Sequence, residues 1–196
     1  DEKSAILDLC QKTNCKLKIV PSVCKLYNIS EISHTLREVQ IEDLLGRDPI
    51  DLTNNIDLHY LNNKVVLVTG GGGSIGSELC RQIASVGPAQ LIIFDIYENS
   101  AYMTYQNLLI KKQKMDLSTN IRVIIGSVSI KENIKKVFEE NKDIFGVIHF
   151  AGYKAVGESV QIPLSYYHNN VYGTLCLLDV MKNNNVKRII FSSSAT

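Results

Sequence analysis

A glycine-rich segment stands between a run of apolar residues and a helical pattern. In VVLVTGGGGSIGSELC (65–80), Gly70, Gly73 and Gly76 have the spacing G-x-x-G-x-x-G. The first glycine permits a tight turn, the second lets the backbone approach a pyrophosphate, and the third lets the helix pack against the sheet. The helix N-terminus, which contains Ser74 and Ile75, then offers free N–H groups to phosphates. The segment predicts a dinucleotide site, although four consecutive glycines alone would also fit a flexible loop.

A carboxylate closes the next apolar run. Asp95 ends LIIFD (91–95), 19 positions after Gly76. An acidic side chain at this place hydrogen-bonds the ribose hydroxyls of adenosine. The 2′-phosphate of NADP would be repelled by this carboxylate. The repulsion is on the order of 4 kcal/mol per unit of charge at ~4 Å and a dielectric near 20, which corresponds to roughly a thousandfold in affinity. The sequence therefore favours NAD over NADP; the alternative is that Asp95 only caps the following helix.

Hydroxyl groups cluster after the last apolar run. RIIFSSSAT (188–196) brings Ser192, Ser193, Ser194 and Thr196 to the carboxyl end of a predicted strand. Open α/β sheets bind their ligands at that end. Because no base in the chain is placed to activate a serine as a nucleophile, we interpret the cluster as a hydrogen-bonding wall of a binding site.

Composition excludes several classes of function. Lys and Arg number 21 against 20 Asp and Glu, for a net charge of +1, which predicts no nucleic-acid partner. The five cysteines form no C-x-x-C pair and indicate reduced thiols in the cytoplasm; no zinc site or other metal is expected. The apolar runs are far shorter than the roughly 20 residues of a membrane helix, and no signal pattern precedes them. We expect a cytoplasmic chain without a membrane segment.

Five short β-branched runs alternate with helical patterns after residue 63. They predict buried parallel strands at 65–69, 91–95, 121–125, 146–150 and 188–191. Between them, Ile75, Leu79, Ile83 and Val86 form an apolar stripe that Gly87 ends. Ser129 and Glu132 have capping-box spacing before another helix. Right-handed crossovers then give an α/β fold, a Rossmann-type doubly wound parallel sheet, which we expect to be truncated after the fifth strand.

The first part of the chain has a different pattern. It contains a short helical pattern at 5–11, a strand-like LKIVP (17–21) and a polar helix candidate at 31–40. These segments are too few to bury a core alone. We expect residues 1–45 to be the remnant of a preceding domain, 46–63 a linker, and 64–196 a C-terminally incomplete NAD-binding domain.

The N-terminal two thirds resembles one branch of a known superfamily. TGGGGSIG (69–76) resembles the T-G-x-x-G-x-x-G signature of extended short-chain dehydrogenases/reductases. More narrowly, IEDLLGRDP (41–49), LIIFDIYENSAY (91–102) and IIGSV (124–128) resemble the nucleotide-sugar 4,6-dehydratases of polysaccharide biosynthesis. In that branch a preceding domain and membrane helices lie upstream. The resemblance adds Ser127 and Val128 to the cofactor-binding residues.

The C-terminal third resembles another member of the superfamily. VIHFAGYKAVGESVQIPLSYYHNNVYGTL (147–175) and IIFSSSAT (189–196) are similar to UDP-glucose 4-epimerase. The resemblance implies an NAD-dependent enzyme that acts on a UDP-sugar, with a homodimer for the full-length protein. The residues that it places around the NAD are Phe150, Ala151, Gly152, Lys154, Asn169, Ser192 and Ser193. It assigns a catalytic role at the sugar hydroxyl to Ser194, with Thr196 close by.

The two resemblances imply different chemistry. In the dehydratases, S-T-D-K after the fifth strand supplies an acid and a lysine for elimination, whereas this chain has Ser193, Ser194 and Ala195, which cannot transfer those protons. Ser127 stands where the epimerases usually have Asp beside the adenine, which favours the dehydratases. Residues at the reacting sugar weigh more, so UDP-glucose/UDP-galactose 4-epimerisation through a 4-keto intermediate is favoured. The alternatives are a UDP-N-acetylglucosamine-type 4,6-dehydratase and a noncatalytic NAD-binding module.

The catalytic base of the epimerase pattern is missing from its usual place. The resemblance implies Y-x-x-x-K on the helix after the fifth strand, where tyrosine and lysine face one site. The chain contains this motif only at Tyr60–Lys64, before the glycine-rich segment. We therefore expect the base to be encoded beyond Thr196 and the chain alone to be inactive.

Overall fold

The computed structural model describes residues 58–193, together with residues 6, 9, 13, 18–19 and 37–38. The chain divides into two compact units, Asp1–Ile56 and Asp57–Thr196. In the first unit, the strands Lys18–Ile19 and Arg37–Glu38 pair antiparallel. The helix candidate at 31–40 is therefore wrong at Arg37–Glu38; its other residues lie outside the described part.

The second unit contains the predicted five-stranded parallel sheet. A 3₁₀ helix, Leu58–Leu61, comes before the first strand. The strands are β1 (Val65–Thr69), β2 (Gln90–Asp95), β3 (Asn120–Ile125), β4 (Ile144–His149) and β5 (Ile189–Phe191). They lie in the order β3-β2-β1-β4-β5, and every pair is parallel. The doubly wound α/β prediction is confirmed, with strand bounds displaced by up to two residues.

Helices connect the strands. They are α1 (Ser74–Val86), α2 (Glu98–Met115), α3 (Lys131–Glu140), α4 (Val156–Gln161), α5 (Pro163–Tyr166) and α6 (Gly173–Asn183). A π-helix, Tyr167–Tyr172, lies between α5 and α6. Among the described residues, no helix is both long and apolar enough to cross a membrane.

The sheet separates two apolar cores. Successive side chains of β1 point to opposite faces, so Leu67 packs in one core, while Val66 and Val68 pack in the other. The core on the Leu67 side includes residues of α3 and α6, and the other includes residues of α1 and α2. This arrangement holds the carboxyl ends of the strands in a fixed position relative to the helices that follow them.

Helix ends agree with the sequence at α1 and differ at α3. Gly87 ends α1 in the left-handed region, with φ of 79°. The predicted capping box is wrong, because Ile130 caps α3 and no side chain bonds to its first turn. The Ser129 hydroxyl pairs instead with the hydroxyl of Ser127 at 2.8 Å, so local hydroxyl pairing competes with the cap.

Candidate functional site

A cavity of about 470 Å³ lies at the carboxyl ends of the central strands. Its position beside β1 and β4 is the switch point where the strand order reverses, which is the usual ligand crevice of such sheets. Its size is within the range of small-molecule sites. The lining residues are Gly70, Gly73, Ser74, Ile75, Gly76, Phe94, Asp95, Ile96, Tyr97, Ser100, Gly126, Ser127, Val128, Phe150, Ala151, Gly152, Tyr153, Lys154 and Asn169.

The glycine-rich turn is packed too tightly for a side chain at several positions, among them Gly70 and Gly76. Gly70 has φ of +70°, and a Cβ there would lie 2.6 Å from the Ala151 nitrogen. A Cβ on Gly76 would lie 2.1 Å from the Gly70 carbonyl oxygen. The turn therefore brings the start of α1 directly against the ends of β1 and β4.

The N-terminus of α1 faces the cavity with free backbone donors. The Ser77 N–H donates to the Gly73 carbonyl oxygen at 2.8 Å, which leaves the earlier N–H groups of the helix without an intrahelical acceptor. Ile75 belongs to the apolar stripe in the sequence, yet it is 58% exposed and lines the cavity. This end of the cavity is suited to a phosphate.

Asp95 is buried and already holds two backbone groups. It is 6% exposed, and its Oδ2 accepts the Gly72 N–H at 2.8 Å, while its Oδ1 accepts the Tyr97 N–H at 2.9 Å. The bond to Tyr97, directly before α2, agrees in part with the alternative that Asp95 organises the following helix. Each carboxylate oxygen can accept a further hydrogen bond, so a ribose hydroxyl can still bind there.

The loop after β3 forms another wall of the cavity. The Gly126 N–H donates to the Asp95 carbonyl oxygen at 2.9 Å. Ser127 donates its N–H to the Asn133 side chain at 3.1 Å. Val128 is buried, and a Cβ on Gly173 would lie 2.8 Å from it. The loop is thereby held between α3 and α6.

A buried histidine joins β1, β4 and α6. The Thr174 hydroxyl donates to the Asn170 carbonyl oxygen at 2.6 Å, so its oxygen accepts the Nε2–H of His149 at 3.0 Å. His149 Nδ1 is then the acceptor for the Thr69 hydroxyl at 2.6 Å. Thr69 Oγ1 also accepts the Ala151 N–H at 3.3 Å. Burial lowers the pKa of His149 to about 4, so the imidazole is neutral near pH 7.

Two predicted residues lie away from the cavity. Ser192 and Ser193 are exposed and are not among its lining residues; the Ser192 N–H donates to the His149 carbonyl oxygen at 3.3 Å. Ser194 and Thr196 lie outside the described residues. The roles of these four residues stay predictions.

The Tyr60–Lys64 pair lies at the opposite end of the sheet. Tyr60 belongs to the 3₁₀ helix before β1, and its ring centroid is 6.5 Å from that of Phe145 at the start of β4. The Lys64 Nζ is 5.5 Å from the same ring. This motif is therefore remote from the cavity.

Six lining residues were missed in the sequence. They are Phe94, Ile96, Tyr97, Ser100, Gly126 and Tyr153. All are close in sequence to predicted site residues, and Tyr153 lies between Gly152 and Lys154. Their position in the sequence could have identified them, because residues that flank the end of a parallel strand lie at the same edge of the sheet as the strand's last residue.

Comparison with known proteins identifies the family. A model described as "Polysaccharide biosynthesis protein" matches residues 66–195. The chain belongs to this family. It is 46% identical over 137 residues to the bifunctional protein GAL10 of Candida maltosa, covering 69% of this chain and 85% of that protein. It is 35% identical over 161 residues to the capsular polysaccharide biosynthesis protein CapD of Staphylococcus aureus, covering 82% of this chain and 26% of that protein.

A solved structure resembles the chain in both fold and sequence. UDP-glucose 4-epimerase from Bifidobacterium longum, in complex with NAD⁺ and UDP, is 44% identical with a TM-score of 0.59. The match covers 67% of this chain and 37% of that enzyme. Apart from the Candida protein, the chain spans 18% to 38% of the length of the curated relatives. Both resemblances seen in the sequence are therefore confirmed at the level of the family.

The donor set of the cavity fits a dinucleotide. Free N–H groups at α1 suit a pyrophosphate, and Asp95 is placed to accept ribose hydroxyls. Ser127 and Val128 lie on the same side, while Phe150–Lys154 and Asn169 lie on the β4 side. Among the described residues, no group of three or more His, Cys, Asp or Glu side chains could hold a metal ion.

Proposed function

We propose that the chain supplies the NAD-binding part of a UDP-sugar 4-epimerase that interconverts UDP-glucose and UDP-galactose. One observation carries the proposal: the residues expected around NAD from Gly70 to Asn169 all line a single cavity. The chain is also 44% identical, over 67% of its length, to an epimerase in complex with NAD⁺ and UDP. The full activity, its UDP-sugar substrate and a homodimer are all part of this proposal.

The residues of the cavity have distinct tasks in this proposal. The start of α1 binds the pyrophosphate, and Asp95 binds the adenosine ribose. Lys154 and Asn169 bind the other half of the dinucleotide, and Ser194 with Thr196 bind the sugar. These residues would hold NAD, which would supply reversible hydride transfer at C4 of the sugar, while a base outside the described residues would take and return the proton of the C4 hydroxyl.

The cysteines support a cytoplasmic location in the same proposal. Cys80 and Cys176 are buried free thiols, and burial raises the pKa of Cys80 to about 12. Such thiols are unreactive and are compatible with a reducing compartment.

Binding is the first test. The purified chain is titrated with NAD and with NADP by calorimetry. Saturable NAD binding, tighter than NADP binding, supports the proposal. Absence of NAD binding at millimolar concentration would contradict it.

Product analysis separates the reactions. The chain is incubated with NAD and UDP-glucose, and products are resolved by chromatography and mass spectrometry. UDP-galactose supports epimerisation and overturns the expectation of an inactive chain, whereas a 4-keto-6-deoxy product, lighter by one water, supports the dehydratase. NAD binding without either product agrees with the noncatalytic alternative and with a base encoded elsewhere.

A further inference from the structure

The side chain of Asn170 binds both backbone polar groups of Tyr153, which lies in the turn after β4. Its Oδ1 accepts the Tyr153 N–H at 2.8 Å, and its Nδ2 donates to the Tyr153 carbonyl oxygen at 3.0 Å. A side-chain amide that pairs with both backbone groups acts like the edge of a neighbouring strand. Tyr153 itself lines the cavity, so Asn170 fixes part of the cavity wall.

The same side chain also orients Asn169. Asn169 Nδ2 donates to Asn170 Oδ1 at 2.9 Å. Asn169 is 8% exposed and lines the cavity, and its Oδ1 has no hydrogen bond to any described residue. Because one N–H is engaged by Asn170, the orientation of the Asn169 amide is fixed, and its carbonyl oxygen can still accept a hydrogen bond.

Asn169 and Asn170 both lie in the π-helix Tyr167–Tyr172. The Gly173 N–H donates to the His168 carbonyl oxygen, five residues back, which is the wide turn of a π-helix. The Asn170 carbonyl oxygen accepts the Thr174 hydroxyl, which in turn accepts from His149. Asn170 is therefore fixed through its backbone to β4 and through its side chain to the turn that follows β4.

We propose that Asn170 is a positioning residue for the dinucleotide, acting through the Tyr153 backbone and the Asn169 amide. This inference rests on the proposed function, which places the adenosine and pyrophosphate at Asp95 and α1. The half of NAD beyond the pyrophosphate then lies on the β4 side, against the residues that Asn170 holds. Loss of Asn170 should therefore weaken binding of that half alone.

The test compares NAD with ADP, which lacks that half. In Asn170→Ala we expect the NAD dissociation constant to rise about tenfold, and the ADP constant to stay within about twofold of wild type. Asn170→Asp keeps the size of the side chain but replaces the donor to the Tyr153 carbonyl with an acceptor. The NAD dissociation constant should therefore rise in this variant too. Asn184→Ala is the matched control, because Asn184 Nδ2 donates to the Val180 carbonyl oxygen at 2.8 Å away from the cavity; both constants should stay unchanged.

Amide hydrogen exchange tests the contact without a ligand. The Tyr153 N–H should exchange faster in Asn170→Ala than in wild type, with no change in Asn184→Ala. Unchanged Tyr153 exchange would overturn the proposed contact. Unchanged NAD affinity, or equal weakening of NAD and ADP, would overturn the positioning role. Failure of the wild-type chain to bind either nucleotide would contradict the proposed function itself, whatever the variants do.

Discussion

Asp95 has a structural role in the cavity in addition to the binding role that we propose for it. Asp95 follows a buried strand, and this position predicts an acidic ligand for a ribose. The structure adds two backbone hydrogen bonds, to Gly72 and Tyr97, which sequence spacing cannot reveal because they depend on how two loops meet. The location of Asp95 was predictable, whereas its part in shaping the glycine-rich turn was not.

Replacement of Asp95 should change the choice of dinucleotide. In wild type we expect NAD to bind at least about 100-fold more tightly than NADP, since a buried carboxylate repels the 2′-phosphate. Asp95→Asn removes the charge, so the ratio of the two dissociation constants should fall about tenfold or more. The ratio cancels any general loss from the disturbed Gly72 and Tyr97 bonds.

Asp143→Asn is the charge-matched control. Asp143 is exposed and stands directly before β4, at the end of the sheet opposite the cavity. Its replacement should leave the ratio unchanged. Equal ratios in wild type and Asp95→Asn would contradict the assigned role of Asp95.

Elements are positioned by contacts between their ends. Strand and helix periodicity predicted all five strands and the helices that cross between them. The π-helix Tyr167–Tyr172 was not predicted, because an apolar pattern does not distinguish an i→i+5 turn from an i→i+4 turn. The capping box at Ser129 failed since a nearby hydroxyl offered the side chain another partner.

The junction of α1 with the glycine-rich turn should tolerate no side chain. In Gly76→Ala the new Cβ would meet the Gly70 carbonyl oxygen at 2.1 Å, so the backbone must shift, at a cost of about 1–3 kcal/mol. We expect NAD affinity to fall at least about tenfold as the donors at the start of α1 move. Calorimetric titration and denaturant unfolding measure the two effects.

Gly87→Ala is the control at the other end of α1. Gly87 has positive φ but only Asn62 nearby, 3.8 Å from a Cβ. The variant should lose roughly 1–2 kcal/mol of stability from the left-handed conformation and keep its NAD affinity. A parallel loss of affinity in both variants would contradict a local effect at the turn.

The His149 network should make the stability of the fold depend on pH. The pKa of His149 is about 4 in the folded chain because of burial, and about 6.5 when unfolded. The unfolded state therefore binds more protons between these values, and stability falls as pH drops from 6.5 to 4, by at most about 1.4 kcal/mol per pH unit. Urea unfolding at a series of pH values should show a shallower slope in His149→Gln than in wild type. Identical slopes would contradict this role.

At the scale of the whole molecule, the family region and the cavity coincide. The family model begins at residue 66, and the lining residues run from Gly70 to Asn169. The family and the fold were predictable because the pattern of five strands and the glycine-rich motif indicate the same type of fold. The division of the chain into a domain remnant (1–45), a linker (46–63) and an NAD-binding domain (64–196) stays a prediction.

We expect the second unit to fold and bind NAD without the first. All cavity residues belong to Asp57–Thr196, which also contains both apolar cores. A chain of residues 57–196 should show cooperative thermal unfolding and an NAD dissociation constant equal to that of residues 1–196. Loss of binding in the shorter chain, with its unfolding transition intact, would show that residues 1–56 contribute to the site.

The wide turn at Tyr167–Tyr172 also has a consequence for the relative directions of side chains in this part of the chain. Successive residues of an α-helix are about 100° apart around its axis, so one additional residue in a turn shifts the helical phase of everything before it. Cys176, Leu177, Val180 and Met181 of α6 must face the core, while Asn169 must face the cavity. The π-helix that contains Asn169 therefore gives the amide that lines the cavity and the apolar stripe of α6 a different relative angle from the one that an unbroken α-helix would give them.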